Sequence, residues 1–439
     1  MTSAGQDVRR VEVARVLKAG VAAATLTRTS DSIVFRYDTD YLAQGSPPVA
    51  TSLPLTDEPV VTAGRAVPPF FANLLPEGRR LTALRRHVKT SADDDMSLLL
   101  ASGRDPVGDV QVLPATPGSD DAGPGGSGVP DESAVLDGVG MATEPDDPGG
   151  AGRPGAVAEP SASGGSWSDV DFAELLARAG IGDPSSLAGV QDKASGRMLT
   201  LPLAWRDRQV LLKFEVPEFP HVVANEAWFL QRARALRHPV VQAEVVHDRA
   251  GRPGLMVTRF DRRVEASGTV TRLAVEDGAQ LLRRYPADKY AVTTEELAGR
   301  LAEVCPASLV ALRSLLVQVT YAWLTGNGDL HAKNVSVLRA DDEWRVAPVY
   351  DVPATACYGD DTMALPVGGR VQGLSRRSLI DFGTAVGLPR RSVESTLDHV
   401  LTVTDGMVEE LADGALPLDP FRRRLLVRTL RHRRRSLLG

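Results

Sequence analysis

The alternation of apolar and polar positions in SIVFRYDTDYL, residues 32–42, with its β-branched and aromatic content, predicts a strand that ends in a turn. The Pro-punctuated SPPVATSLPL behind it reads as extended chain. PPFFANLLPEGRRLTALRRHV, residues 68–88, opens on Pro–Pro and continues into a basic amphipathic helix. In SADDDMSLLLASG, Ser91 and Asp93 are candidate N-caps and Gly103 a candidate C-terminal stop. PVGDVQVLP closes the unit as a strand. Residues 1–113 thus predict a small α+β module without a candidate catalytic set.

The second half carries longer apolar runs. QVLLKF reads as an apolar strand with Lys213 near its end, and Asn225–Leu236 as a helix with Glu226 in its first turn, where the macrodipole favours a carboxylate. LMVTRFDRR, residues 255–263, is a strand entering a polar turn. SLVALRSLLVQVTYAWLTG, residues 308–326, predicts a buried helix that stops at Gly326. NGDLHAKN follows, then VSVLR, the turn ADDE and WRVAPVYD, which read as a hairpin with Arg339 opposite Trp344. Continued, that register sets Asp351 beside Ala332 and Lys333, next to Asn334.

Composition adds a boundary. Residues 115–166 hold 13 Gly and 7 Pro, with nine acids against the single base Arg153. That stretch carries −8 of a formal net −6, so the remainder is about +2. Its few apolar groups cannot offset ordering entropy, and residues 114–166 read as a disordered linker or surface insertion. A core of 167–439 follows, divided into a first part, 167–263, and a mainly helical part, 264–439. Two cysteines, Cys305 and Cys357, exclude a disulfide scaffold and suit a reducing cytoplasm. The first residues lack an apolar signal core and no run of 18 apolar residues occurs, which predicts neither secretion nor a membrane span.

Four segments carry candidate chemistry. SSLAGVQDKASGRMLTL is a loop of small residues that could bring backbone N–H groups to phosphate oxygens, although, with neither GxGxxG nor GxxxxGK(S/T), the segment alone favours a plain β-turn. A strand Lys paired with a helix Glu, here Lys213 and Glu226, holds nucleotide phosphates in kinase-like folds; an ordinary strand Lys and capping Glu is the bland alternative. The strand end at Thr258–Phe260 fits a nucleotide hinge, as would many strand ends. The fourth segment is the most specific. Asp329 to Asn334 has the D-x-x-x-x-N spacing of a kinase catalytic loop, and the hairpin gathers Asp329, His331, Lys333, Asn334 and Asp351. Two carboxylates and an amide are oxygen ligands suited to magnesium.

FRYDTDYL, SLPL, PPFFANLLPEGRR, SLAGVQDK, LLKF, NEAW, VTRFDRR, RLAVEDGAQLL, NGDLHAKN and VAPVYD, in this order, resemble the HipA family, the serine/threonine-kinase toxins of bacterial toxin–antitoxin pairs. The resemblance implies a two-lobed, protein-kinase-like α+β fold with a small N-terminal α+β subdomain and a helical C-terminal lobe. It implies transfer of the ATP γ-phosphoryl group to a protein hydroxyl, with Mg2+ as cofactor. Asp329 would be the catalytic residue and Asn334 and Asp351 the metal ligands. ATP would be bound by Ala188, Gly189, Val190, Gln191, Asp192 and Lys193 in the phosphate loop. Lys213, the hinge residues Thr258, Arg259 and Phe260, and His331, Lys333 and Asn334 complete that set, with Lys333 offsetting phosphate charge. Ser186 matches a Ser that the family autophosphorylates to switch the kinase off.

The partner implied is a helix-turn-helix antitoxin of the HipB type, which would carry the complex onto operator DNA, and the localisation implied is cytoplasmic with no membrane contact. The C-terminal FRRRLLVRTLRHRRRSLLG holds eight Arg, a composition that suits either phosphate backbones or a solvated helix face. Two other functions compete. A small-molecule kinase of the aminoglycoside or choline type would read H-G-D-x-x-x-x-N, but Asn327 stands in the His place. A degenerate kinase acting as transcriptional co-repressor would not need Lys213, Asp329, Asn334 and Asp351.

Overall fold

The structure, a computed structural model, describes residues 7–91, 93–102, 105–115, 166–179 and 198–438. The proposed phosphate loop, Ser186 and nearly all of the acidic segment lie outside the described residues.

The N-terminal module is an antiparallel five-stranded sheet in the order Val60–Ala63, Ser32–Tyr37, Val21–Arg28, Val13–Lys18, Val110–Pro114. Strand Ser32–Tyr37 alternates as expected and buries Ile33, Phe35 and Tyr37. It stops sooner than the pattern predicts, because Asp38 is followed by a one-turn helix, Thr39–Ala43. Residues 68–88 form two helices, Pro69–Ala72 and Gly78–Val88, not one. The chain between them, with Pro76 in it, is a loop whose Asn73 accepts two hydrogen bonds from Lys333. Neither Ser91 nor Asp93 caps the next helix, Asp95–Ser102; Asp94 accepts the Ser97 N–H at 3.3 Å instead. Gly103 lies outside the described residues.

The second sheet is antiparallel, in the order Met198–Trp205, Arg208–Glu215, Pro253–Thr258, Ala243–His247. Period-two alternation sends Val210, Leu212 and Phe214 of Arg208–Glu215 into a core shared with Phe172, Leu175 and Leu176. Leu211 and Lys213 face the other way, into the cleft. The helix expected from Asn225 begins three residues earlier, at Val222, behind a left-handed His221. Glu226 therefore falls in the second turn and is fully buried, and its pairing with Lys213, not the macrodipole, accounts for its place.

The C-terminal lobe is built of helices around Ser308–Thr325, which packs against Thr294–Val304 and Arg390–Val403. This helix has the length and mean hydropathy, 1.2, to cross a membrane, but 78% of it is buried as core. Gly326 at φ 71° ends it. The hairpin Ser336–Ala340 with Glu343–Val346 has the expected register, Arg339 opposite Trp344. The pairing does not run on to Asp351: Val349 leaves it for a parallel bridge to Val240. In the C-terminal helix Pro420–Leu438, three of the arginines serve the fold. Arg433 is buried, donates to the Trp323 carbonyl at 3.0 Å and to the Asp361 carbonyl, and Arg422 and Arg434 pair with Asp419 and Asp405.

Candidate active site

The loop after Gly326 is rigid by construction. Asn327 Oδ1 accepts the Asp329 N–H at 2.8 Å, and Thr355 Oγ1 accepts the Gly328 N–H at 2.7 Å. A Cβ on Gly328 would lie 2.6 Å from the Thr362 carbonyl, so only glycine fits there. This backbone presents Asp329, 7% exposed, to a cavity of about 380 Å³ between the lobes. The Tyr290 hydroxyl donates to Asp329 Oδ1 at 2.9 Å, and the Tyr290 ring meets His331 edge-on. Burial and the neighbouring Lys289 push the His331 imidazole down to about 3, so it is neutral. Its Nδ1 has no hydrogen-bond partner among the described residues.

Asn334 spends its Nδ2 on the Asp329 carbonyl at 2.7 Å, which leaves Oδ1 without a hydrogen bond among the described residues. Lys213 Nζ donates to Glu226 Oε1 at 2.8 Å and to Asp351 Oδ1 at 2.9 Å. Burial works against the Lys213 charge, but both carboxylates outweigh it and its pKa rises. Burial pushes the Glu226 carboxyl up to about 7. Asp351 adopts φ 57°, a left-handed conformation costly for a residue with a Cβ and concentrated at functional sites. Asp329, Asn334, Asp351 and Lys213 all line the one cavity. Among the described residues no cluster of three or more His, Cys, Asp or Glu could hold a metal alone. An amide oxygen with one or two carboxylates is instead the sparse oxygen set magnesium takes when phosphates complete its shell, so these residues fit the ion.

Lys333 departs from its expected role. Its ammonium is held by the Asn73 carbonyl and Asn73 Oδ1, each at 3.0 Å, and by Asp277 Oδ2 at 2.6 Å. All three donors are thus committed, and Lys333 braces the loop 327–334 against the N-terminal module. Glu77, from the same loop as Asn73, pairs with Lys289 and lies 3.7 Å from Lys333. At the hinge, the Thr258 and Arg259 N–H groups already donate to the carbonyls of Gln242 and Gln209. The Arg259 side chain is buried on Asp105 and Asp261. Phe260 keeps a backbone N–H without an acceptor among the described residues and lines the cavity.

Sequence reasoning missed Asn73, Glu77, Arg80, Asp277 and Tyr290, all set near the catalytic loop by tertiary packing. The motif FANLLPEGRR, conspicuous yet without assigned chemistry, was the available signal for the first three.

Residues 185–407 match the family of HipA-like C-terminal domains, and residues 14–113 that of HipA N-terminal domains. The protein named "Putative kinase Y4mE" of Sinorhizobium fredii is 30% identical over 83% of this chain and 84% of its own length. The serine/threonine-protein kinase toxin HipA of Shewanella oneidensis is 24% identical over 89% of this chain and 87% of its own. A solved complex of Shewanella HipA with HipB and operator DNA superposes with a TM-score of 0.68, covering 97% of both chains at 21% identity. The fold is two-lobed and kinase-like. The chain belongs to the HipA family.

Proposed function

We propose that this chain is an ATP-dependent serine/threonine protein kinase, the toxin of a toxin–antitoxin pair. The observation that supports it best is the convergence of Asp329, Asn334, Asp351 and Lys213 on one cavity. Asp329 accepts a hydrogen bond from the acceptor hydroxyl and takes its proton. The new bond from that oxygen to the γ-phosphorus forms as the β–γ bridging bond breaks, and ADP departs. Lys213, kept charged by its two carboxylates, orients the α- and β-phosphates. Asn334 and Asp351 hold magnesium, which when bound neutralises phosphate charge. Ser186 and the Ala188–Lys193 loop keep their proposed roles as autophosphorylation site and phosphate loop.

The partner we infer is a HipB-like helix-turn-helix antitoxin, as the description of the Shewanella complex suggests, with operator DNA reached through it. Three C-terminal arginines spent on internal contacts leave less of that helix for DNA. Asn73, Glu77 and Arg80 in the cavity lining also favour the protein-kinase reading over a small-molecule kinase, which has no use for the N-terminal module. The test is mass spectrometry after incubation with Mg2+ and ATP. Wild type is expected to gain a phosphoryl group and Asp329→Asn to lose at least ~100-fold in rate with its melting temperature unchanged. Equal labelling of both would overturn the assignment.

A further inference from the structure

Arg80 is the third residue of the helix Gly78–Val88, on the N-terminal module, and it lines the cavity that holds Asp329 and Lys213. Its neighbours are satisfied. Arg79 pairs with Glu218 at 2.6 Å, and Arg259 and Arg262 share Asp105 and Asp261. Arg80 makes no hydrogen bond or ion pair among the described residues, and burial beside Arg259 lowers its pKa.

The surroundings sharpen the anomaly. The carboxylate that acts on Arg80, Asp105, is already shared by Arg259, Arg262 and Arg272, and Asp261 is held by Arg259 and Arg262. Arg80 also sits in the first turn of its helix, the positive end of the macrodipole, where a cation is unfavourable. Glu77 cannot relieve it, because its carboxylate makes no capping bond and is engaged with Lys289. A partly buried, unpaired cation persists where an anion completes the site.

We infer that Arg80 is a nucleotide-binding residue, donated by the N-terminal module, that contacts the phosphate chain of the bound nucleotide. The inference rests on the ATP-dependent reading above and adds that the N-terminal module is part of the nucleotide site. Arg supplies planar charge-assisted donors matched to phosphate oxygens.

The test is calorimetric titration of the full chain with ATP, ADP and adenosine, for wild type, Arg80→Ala and Arg80→Lys, beside thermal melts without and with ATP. Arg80→Ala is expected to weaken ATP by about 10- to 100-fold, the range for a charge-assisted hydrogen bond, and to leave adenosine unchanged. Arg80→Lys should recover part of the loss. Without nucleotide, Arg80→Ala should melt no lower than wild type, because a partly buried charge with no bonded partner among the described residues has been removed, and ATP should raise its melting temperature less. Equal affinities for ATP, an equal loss for adenosine, or a lower melting temperature with an undiminished ATP shift would each overturn the inference. Failure of wild type itself to bind ATP would instead sink the kinase reading.

Discussion

Asp329 and Tyr290 illustrate what one hydrogen bond can contribute at the carboxylate proposed as catalytic. The Tyr290 hydroxyl fixes Asp329 Oδ1 from one side, and a carboxylate has lone pairs enough to accept an acceptor hydroxyl as well. Removing the hydroxyl leaves the ring packed on His331 but takes one hydrogen bond from the carboxylate. Tyr290→Phe is expected to lower kcat by about 10-fold, the cost of one charge-assisted bond, with KM for ATP unchanged. Steady-state kinetics check this, and a rise in KM at constant kcat would assign Tyr290 to binding. At this scale the sequence was legible where spacing is local: Asp329 and Asn334 lie five residues apart and share one loop. Lys213 with Glu226 was legible as a strand–helix pair. The contacts of Lys333 were not legible, because the three acceptors that hold it come from Asn73 and Asp277, far off in the chain. No pattern within a segment reports such a contact.

Elements followed their hydrophobic period wherever one face is buried. The strands Ser32–Tyr37 and Arg208–Glu215 and the helix Ser308–Thr325 are of this kind. Boundaries failed where turn chemistry competes, as at residues 73–77, where Pro76 divides the expected helix. Helix Asp95–Ser102 carries a second consequence. Burial pushes the Asp95 carboxyl up to about 6, although the Val67 N–H favours its charged form. A carboxyl raised above its unfolded value gives stability present at acid pH and lost as pH rises through about 6. Asp95→Asn, neutral at every pH, should therefore match wild type near pH 4 and melt about 2–4 °C higher at pH 7.5. Melting curves across that interval check the sign; a variant that is less stable at pH 7.5 would contradict it.

Across the whole molecule, the N-terminal module is anchored to the kinase-like core by buried polar contacts. Asp105 binds Arg259 at 2.5 Å and Arg262 at 2.7 Å, and Thr51 donates its N–H to Glu276 at 2.7 Å. The module was legible as α+β, but its docking was not, since the chain reads as two units and nothing local ties Asp105 to the strand end at Arg259. Asp105→Ala would leave both arginines sharing Asp261, with the Pro106 and Gly108 carbonyls as neutral acceptors. A loss of about 3 kcal/mol, the low end for breaking a buried ion pair, is expected in chemical denaturation. An unchanged midpoint would show that the anchor is not energetic.

Every role proposed for these residues requires the cavity to be a nucleotide site with a metal between Asn334 and Asp351. The direct measurement is a crystal structure with Mg2+ and a non-hydrolysable ATP analogue. It should show a metal about 2.1 Å from Asn334 Oδ1 and an Asp351 oxygen. Phosphates should lie beside Lys213 and the terminal phosphoryl group should face Asp329. Nucleotide bound elsewhere, or these side chains turned apart with no ion between them, would contradict it.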